Sequence, residues 1–196
     1  SCREIAQEIE KNLDFLETTM RDIPERHRSL RAVFEYSWNL ISEQEKQTLK
    51  KLSVFRGGCE RVGATMVTDT SIQILAALLD KSLLNKSSVG RYEVPEVLRQ
   101  YALQKLTPSE KEEAFNKHCQ FYSNFLKEKE NEILSPRQKE ALTEIGKEIE
   151  NIREAWDWAV EHRMREAIEK MVNGLQIFYE NRAWFHEGYD KMKRVI

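Results

Sequence analysis

The strongest constraint on the fold is a single strand signal among helical patterns. Short apolar runs in Ser82–Lys86 and Arg91–Val94 flank a polar loop ending in Gly90, which predicts one short hairpin. Pro95 follows directly and suits the first turn of a helix, where a missing N–H loses no partner. One hairpin between helices is typical of a winged-helix domain, which we expect at residues 28–106.

The helices before the hairpin carry clear boundary signals. Ser42 followed by Glu45 has the pattern of a capping box, in which each side chain bonds the backbone N–H of the other residue. We therefore predict a helix over Glu43–Phe55. Gly57-Gly58 is expected to break the chain after it.

The pattern after Pro108 is that of long helices joined by short turns. We predict helices over residues 110–133, over one apolar stripe from Pro136 to Ala159, and over residues 164–181. Short joins imply antiparallel neighbours. The stretch from Trp184 to Gly188 resembles the tryptophan and small-residue positions of a tetratricopeptide helix. We therefore expect a mostly α fold, with the start of a tetratricopeptide-like solenoid at residues 107–196.

Composition and motifs argue against catalysis and against a metal centre. The sequence has no GxxxxGK[ST] loop, no GxSxG and no HExxH. His118 and Cys119 are adjacent, so on a helix they point about 100° apart and do not converge on one ion. We expect no enzyme activity, cofactor or metal in this segment. Three cysteines without CxxC spacing suit the cytoplasm, and no apolar run is long enough for a membrane span.

Three roles for the winged helix stay open: DNA binding, a packed spacer and an intramolecular switch. With 31 Lys and Arg against 33 Asp and Glu, the chain has no global positive field for nucleic acid. We predict a helix over Ile72–Asp80, with Asp69 or Thr70 as its cap. The stretch in the recognition position, Ser71–Lys81, offers Gln73, Asp80 and Lys81 among aliphatic residues, which is poor material for reading base edges. In the wing, Lys86 and Arg91 have acidic neighbours. These features disfavour DNA binding.

Four stretches together carry a resemblance to a known family. In chain order they are Pro24–Trp38, Leu52–Gly58, Leu79–Leu84 and Tyr92–Ala102. Over residues 1–160 the chain resembles the region behind the ATPase core of bacterial STAND proteins, which are signal-transduction ATPases with an NB-ARC-like module. Many of these proteins are transcriptional regulators.

The resemblance implies an organisation and a set of contact residues. Residues 1–27 would be a helical segment leading to an upstream ATPase module that holds ATP or ADP, and the winged helix would pack on that module. The helical repeats would bind a protein or small-molecule ligand. Val94-Pro95-Glu96 occupies the place of a Met-His-Asp type motif, so the histidine contact to ADP is absent. Expected interdomain contacts are Arg28, Arg31, Arg91, Pro95 and Arg99, and expected partner anchors are Trp158 and Trp184.

The resulting hypothesis is a non-catalytic regulatory and sensor segment of a STAND-type signalling ATPase, with no membrane partner. Unequal contact of the winged helix with the ADP and ATP forms would make a two-state switch. The alternative hypothesis is a DNA-binding winged-helix transcriptional regulator.

Overall fold

The computed structural model describes residues 30–194, and side chains from residue 34 onward. This part of the chain is mostly helical with one two-stranded antiparallel sheet, as the sequence predicts. The elements are α1 (Leu30–Asn39), α2 (Glu43–Leu52), α3 (Arg61–Thr68), α4 (Ile72–Asp80), β1 (Asn85–Lys86), β2 (Tyr92–Glu93), α5 (Glu96–Gln104), α6 (Pro108–Ile133), α7 (Gln138–Lys147), α8 (Ile149–Glu161), α9 (Arg165–Asn181) and α10 (Phe185–Lys193).

The backbone divides into two compact units. Unit 1 comprises the described residues up to Val54 together with Glu60–Lys111, and unit 2 comprises Phe55–Cys59 and the described residues from Glu112 onward. The predicted boundary between residues 27 and 28 lies outside the described residues. The winged-helix assignment of residues 28–106 and the solenoid assignment of residues 107–196 stay predictions.

Unit 1 is built around α2, which packs against α3, α4 and α5. Its core holds fully buried aliphatic side chains from several helices, among them Leu49, Leu52, Leu75 and Leu78. The predicted capping box is confirmed: the Ser42 backbone N–H donates to Glu45 Oε2 at 2.7 Å, and the Glu45 N–H donates to Ser42 Oγ at 3.3 Å. The capping box therefore fixes the N-terminus of α2, and with it the direction in which the apolar side chains of this helix point.

Several predicted boundaries in unit 1 were wrong in detail. Helix α2 ends at Leu52 rather than Phe55, because the Ser53 N–H turns to the Lys50 carbonyl. The N-cap of α4 is Ser71 and neither Asp69 nor Thr70, since Ser71 Oγ accepts from the Ile74 N–H. Asp69 instead ends α3 in a left-handed conformation.

The hairpin and the helix after it lie where the sequence places them. Asn85 pairs with Glu93 and Lys86 with Tyr92, so each strand is two residues long. Pro95 is the N-cap of α5, and its carbonyl accepts from the Arg99 N–H at 2.8 Å.

Unit 2 is a stack of antiparallel helices in which α8 and α10 both pack on α9. The predicted single helix from Pro136 to Ala159 was wrong, because α7 ends at Lys147 and the Glu148 N–H turns back to the Ile145 carbonyl at 3.1 Å before α8 begins. Two turns in the stack are alike. Arg163 and Ala183 both have positive φ and are followed by N–H bonds back to the carbonyls of Ala159 and Tyr179, which is the Schellman pattern.

Among residues 30–194, no single helix has both the length and the apolar character needed to cross a bilayer. Helices α3 and α4 pass that test only as a pair, and they are bent by 109° at their break.

Candidate interaction surfaces

Helix α4, which the sequence analysis places in the recognition position, presents a partly apolar face without cations. Helix α4 buries Leu75 and Leu78, and its exposed positions are Ile72, Gln73, Ala76 and Asp80. Ile72 at its N-terminal end is 51% exposed. No Lys or Arg occurs within α4. Base edges are read mainly by Arg, Lys, Asn and Gln, so Gln73 is the one side chain of this face with suitable chemistry.

Lys81 directly follows α4 and bonds within unit 1. Its Nζ donates to Glu45 Oε1 at 2.5 Å, and Glu45 is almost fully buried. Burial opposes ionisation of Glu45, but the bonds from Lys81 and Ser42 outweigh it and lower the pKa of this carboxyl. The charge of Lys81 is therefore directed at a protein carboxylate.

Two of the arginines predicted as interdomain contacts, Arg91 and Arg99, are buried within unit 1. Arg91 is buried, and Arg99 is 5% exposed. The Arg99 guanidinium donates to both oxygens of Glu96 at 2.7 and 2.8 Å and to the Ser53 carbonyl at 2.8 Å. This geometry gives Arg99 a structural task in unit 1.

The remaining members of that predicted set differ in what the structure describes. Pro95 is half-buried at the start of α5. Arg28 lies outside the described residues, and Arg31 lies in α1 with its side chain outside them. The interdomain role of all five residues stays a prediction.

The predicted partner anchor Trp158 is half-buried in an aromatic stack of unit 2. Its ring lies between Phe115, at a centroid distance of 4.7 Å, and His162, at 3.7 Å. Its indole N–H donates to Asn116 Oδ1 at 2.9 Å. Because the indole already has an internal hydrogen-bond partner, Trp158 is suited to packing within unit 2.

The second predicted anchor, Trp184, marks an exposed aromatic surface on α10. Trp184 is 41% exposed, while Phe185 and Tyr189 beside it are 64% and 65% exposed. Together with Met192 and Tyr179, these last two line a cleft of about 280 Å³ between α9 and α10. We call this the α9–α10 cleft. Sequence analysis missed Phe185 and Tyr189, although their i, i+4 spacing on one helix face was a readable signal.

Polar contacts hold α10 in place and thereby shape this cleft. Arg153 pairs with Glu187 at 2.5 Å, and the Tyr179 hydroxyl donates to Glu187 Oε1 at 2.9 Å. Burial raises the pKa of the Tyr179 hydroxyl, which keeps it a neutral donor. A Cβ atom placed on Gly188 would lie only 3.1 Å from the Cβ of Tyr179. The absence of a side chain at Gly188 therefore permits the close approach of α9 and α10.

A buried polar cluster lies deeper in unit 2, and sequence analysis missed it. Asn151 is fully buried and bonds Glu148, while Glu148 also accepts from the Tyr122 hydroxyl at 2.8 Å. His118 is fully buried, with Nε2 3.5 Å from Asn151 Oδ1. A signal existed, since Glu148 and Asn151 fall in the register of the apolar stripe that Ile145, Ile152 and Ala155 follow.

Desolvation decides the protonation states in this cluster. Burial lowers the pKa of His118 to about 4, although the bond to Asn151 opposes that shift. Burial also raises the pKa of the neighbouring Cys119 thiol to about 11. Both groups are therefore neutral near pH 7. Within residues 30–194, no three histidine, cysteine or acidic side chains come together as a possible metal site.

Comparison with known proteins gives regulatory relatives and a solved structure. No family model matches the chain. The chain is 27% identical to three mycobacterial proteins, one from Mycobacterium bovis and two from strains of Mycobacterium tuberculosis, whose names assign them provisionally as HTH-type transcriptional regulators. The match covers 98% of this chain and 23% of each relative, so the chain spans about a quarter of their length.

The solved structure is a STAND protein with a tetratricopeptide repeat sensor from Pyrococcus horikoshii. It is 18% identical, with a TM-score of 0.44, over 100% of this chain and 32% of that one.

Proposed function

We propose that this chain is a non-catalytic regulatory and sensor segment of a larger STAND-type signalling protein of the transcriptional-regulator class. Unit 1 contacts a nucleotide-binding module elsewhere in the same polypeptide, and unit 2 binds a protein or small-molecule ligand. ATP or ADP would be held by that module. The relatives support the regulatory part, because the chain matches about a quarter of the length of proteins whose names assign them provisionally as HTH-type transcriptional regulators.

The observation that carries the proposal is the exposed face of α4. A helix that reads the major groove needs several Arg, Lys, Asn or Gln side chains on its outer face, whereas the exposed positions of α4 offer only Gln73 beside Ile72, Ala76 and Asp80. On α3, Val62 and Met66 are also exposed, one turn apart. Exposed aliphatic and methionine side chains suit contact with another protein surface.

The second support is the location of the charges around the wing. Arg91 and Arg99 are buried in unit 1, and Lys81 is directed at Glu45. Lys86 is exposed and lies over the Tyr92 ring at 5.6 Å. Phosphate binding depends on several cations that are free to approach the backbone, so this arrangement favours a protein partner over DNA.

For unit 2, the proposed ligand surface is the α9–α10 cleft. Its walls combine the aromatic rings of Phe185, Tyr189 and Tyr179 with the polar ends of Gln176 and Glu180. Apolar walls with a few polar groups are typical of ligand and peptide sites. Large exposed aromatic side chains are also the commonest anchors at protein interfaces.

A DNA-binding winged helix is the second candidate, and the observation that favours it is the HTH-type assignment of the relatives. A titration of a fluorescent 25-base-pair duplex with this chain, at several salt concentrations, separates the two. The proposal expects no binding that weakens with salt. Binding whose logarithm falls linearly with the logarithm of the salt concentration, with a slope that drops by about one in Lys86→Gln and is unchanged in the exposed-lysine control Lys139→Gln, would establish the second candidate instead.

A further inference from the structure

The short segment between α2 and α3 begins in unit 1 and continues into unit 2. We call residues 53–58 the crossing segment: Ser53 and Val54 are in unit 1, and Phe55 to Gly58 are in unit 2. Phe55 is almost fully buried, with ring centroids 5.1 Å from His118 and 6.3 Å from Tyr122. Gly57 and Gly58 have φ of 68° and 75°, a conformation that favours glycine.

Asn151 holds the unit 2 end of the crossing segment by bonds to its backbone. Its Oδ1 accepts from the Arg56 N–H at 2.7 Å, and its Nδ2 donates to the Gly58 carbonyl at 2.9 Å. The same Nδ2 donates to Glu148 Oε2 at 3.0 Å. One fully buried amide thus satisfies a donor and an acceptor two residues apart.

The neighbours of Asn151 fix which way its amide points. The Glu148 carboxylate only accepts hydrogen bonds, so the NH₂ group must face it, and Oδ1 is left facing the Arg56 N–H. His118 Nε2 lies 3.5 Å from the same Oδ1, which favours the tautomer with hydrogen on Nε2. The orientation that holds the segment is therefore built into the core of unit 2.

The unit 1 end of the crossing segment is held by Arg99. The Ser53 carbonyl accepts from Arg99 Nη1 at 2.8 Å, and Ser53 is fully buried. Arg99 is itself fixed by its two bonds to Glu96, the first residue of α5. Only Val54 and Phe55 lie between Ser53 and Arg56, so the side chains of Arg99 and Asn151 bond the two ends of one short stretch of backbone.

We propose that the crossing segment is a conformational relay, with Arg99 and Asn151 as its positioning residues. A change at the start of α5 that moves Glu96 and Arg99 alters the Ser53 end, and the backbone passes that change to the bonds of Asn151 on α8. A change at α8 passes back by the same route. The identity of the partner that would use the relay rests on the proposed regulatory function. The bonds of Arg99 and Asn151 to the crossing segment do not depend on that function.

The test measures backbone hydrogen exchange and Arg99 side-chain signals by NMR, without any partner. In Glu96→Gln, the Arg56 N–H should exchange at least about threefold faster, the fold-change expected for weakening one hydrogen bond. The control is Glu112→Gln, an exposed glutamate on α6. Exchange of Arg56 equal to that in the control overturns the relay, because a purely local role of Glu96 ends at Arg99.

The reciprocal variant is Asn151→Ala, with Asn124→Ala on the exposed face of α6 as the control. Arg56 exchange should rise about tenfold or more, since its acceptor is lost, and the Arg99 Nε–H resonance in unit 1 should shift. An increase that is uniform across all of unit 2, with the Arg99 resonance unmoved, shows that Asn151 only stabilises the core and overturns the proposal.

Should Asn151→Ala fail to fold, native-state exchange of the wild-type chain in dilute urea replaces it. A relay must be able to open while the rest of unit 2 stays folded. The exchange rate of the Arg56 N–H should therefore depend less on urea concentration than the exchange rates of the α8 amides. Equal urea dependence for Arg56 and α8 makes the segment an ordinary part of the core and refutes the relay. A failure of any of these tests leaves the proposed function standing, because none involves a ligand.

Discussion

The buried His118 predicts that the chain loses stability on mild acidification. Its pKa is lowered from 6.5 to about 4 because burial disfavours the imidazolium. The unfolded chain therefore takes up a proton at a higher pH than the folded chain does. The contribution of neutral His118 to the free energy of unfolding is fully present above about pH 6.5 and is lost as the pH falls towards 4.

The size of this loss follows from the difference between the two pKa values. Each pKa unit corresponds to about 1.4 kcal/mol, so the change from 6.5 to about 4 removes about 3 kcal/mol of unfolding free energy. That is a large part of the 5–15 kcal/mol typical of a folded domain. Carboxyl groups such as Glu110, whose pKa is lowered to about 2 by its bonds from Lys50 and the Thr107 N–H, lose their contribution below their ordinary value of 4.5.

The assay is urea unfolding followed by circular dichroism at several pH values between 7 and 4. His118→Phe keeps a ring against Phe55 but cannot be protonated, so its unfolding free energy should fall about 3 kcal/mol less than that of the wild type over this range. His186→Gln, an exposed histidine on α10, is the matched control. If His118→Phe and the control show the same pH dependence, the reasoning from burial is refuted.

Three further predictions concern unit 2. Ala183→Gly should stabilise the chain by about 1 kcal/mol in urea unfolding, because Ala183 is exposed at φ 56°; a loss of stability would contradict the left-handed turn. Gly188→Ala should destabilise by about 1 kcal/mol against the buried ring of Tyr179, whereas Gly146→Ala, which meets the movable end of an arginine side chain, should not; equal effects would argue against close packing of α10. Cys119, whose pKa burial raises to about 11, should resist alkylation at pH 8 until urea is added, as peptide mass spectrometry would show; rapid labelling of the native chain would contradict its burial.

Local signals in the sequence determine much of the fold. The capping box at Ser42 and Glu45, the break at Gly57-Gly58 and the helix after Pro95 each depend on residues only a few positions apart. Such patterns act through the backbone of the segment that contains them, so they can be recognised without knowing the tertiary structure. The mostly α fold with one hairpin followed from these signals.

The features that sequence analysis missed depend on contacts between distant residues. The Arg56 N–H bonds Asn151, which lies 95 residues away in the chain, and no local pattern announces that pairing. The bond from the Tyr122 hydroxyl to the Glu148 carboxylate likewise joins residues 26 positions apart. The apolar stripe continues in register through Glu148, so the pattern alone does not show that α7 and α8 are separate helices.

The candidate site divides in the same way. Trp184 was predicted as an exposed anchor from its place in the repeat pattern, and 41% of it is exposed. The interdomain role expected for Arg99 stays a prediction, and its guanidinium bonds Glu96, three positions earlier on α5, and the Ser53 carbonyl, 46 positions earlier in the chain. The position of an arginine on a predicted helix does not by itself predict which acceptor its side chain will bond in the folded protein.

The central claim is that the surface of unit 1 contacts a nucleotide-binding module rather than DNA. The most direct measurement is hydrogen exchange by mass spectrometry on a longer protein that carries this chain and a phosphate-binding loop, compared between its ADP-bound and ATP-analogue-bound forms. The account predicts that protection of peptides from α3, α4 and the start of α5 changes with the nucleotide. Identical exchange of these peptides in both forms, with new protection of α4 on addition of duplex DNA, would contradict it.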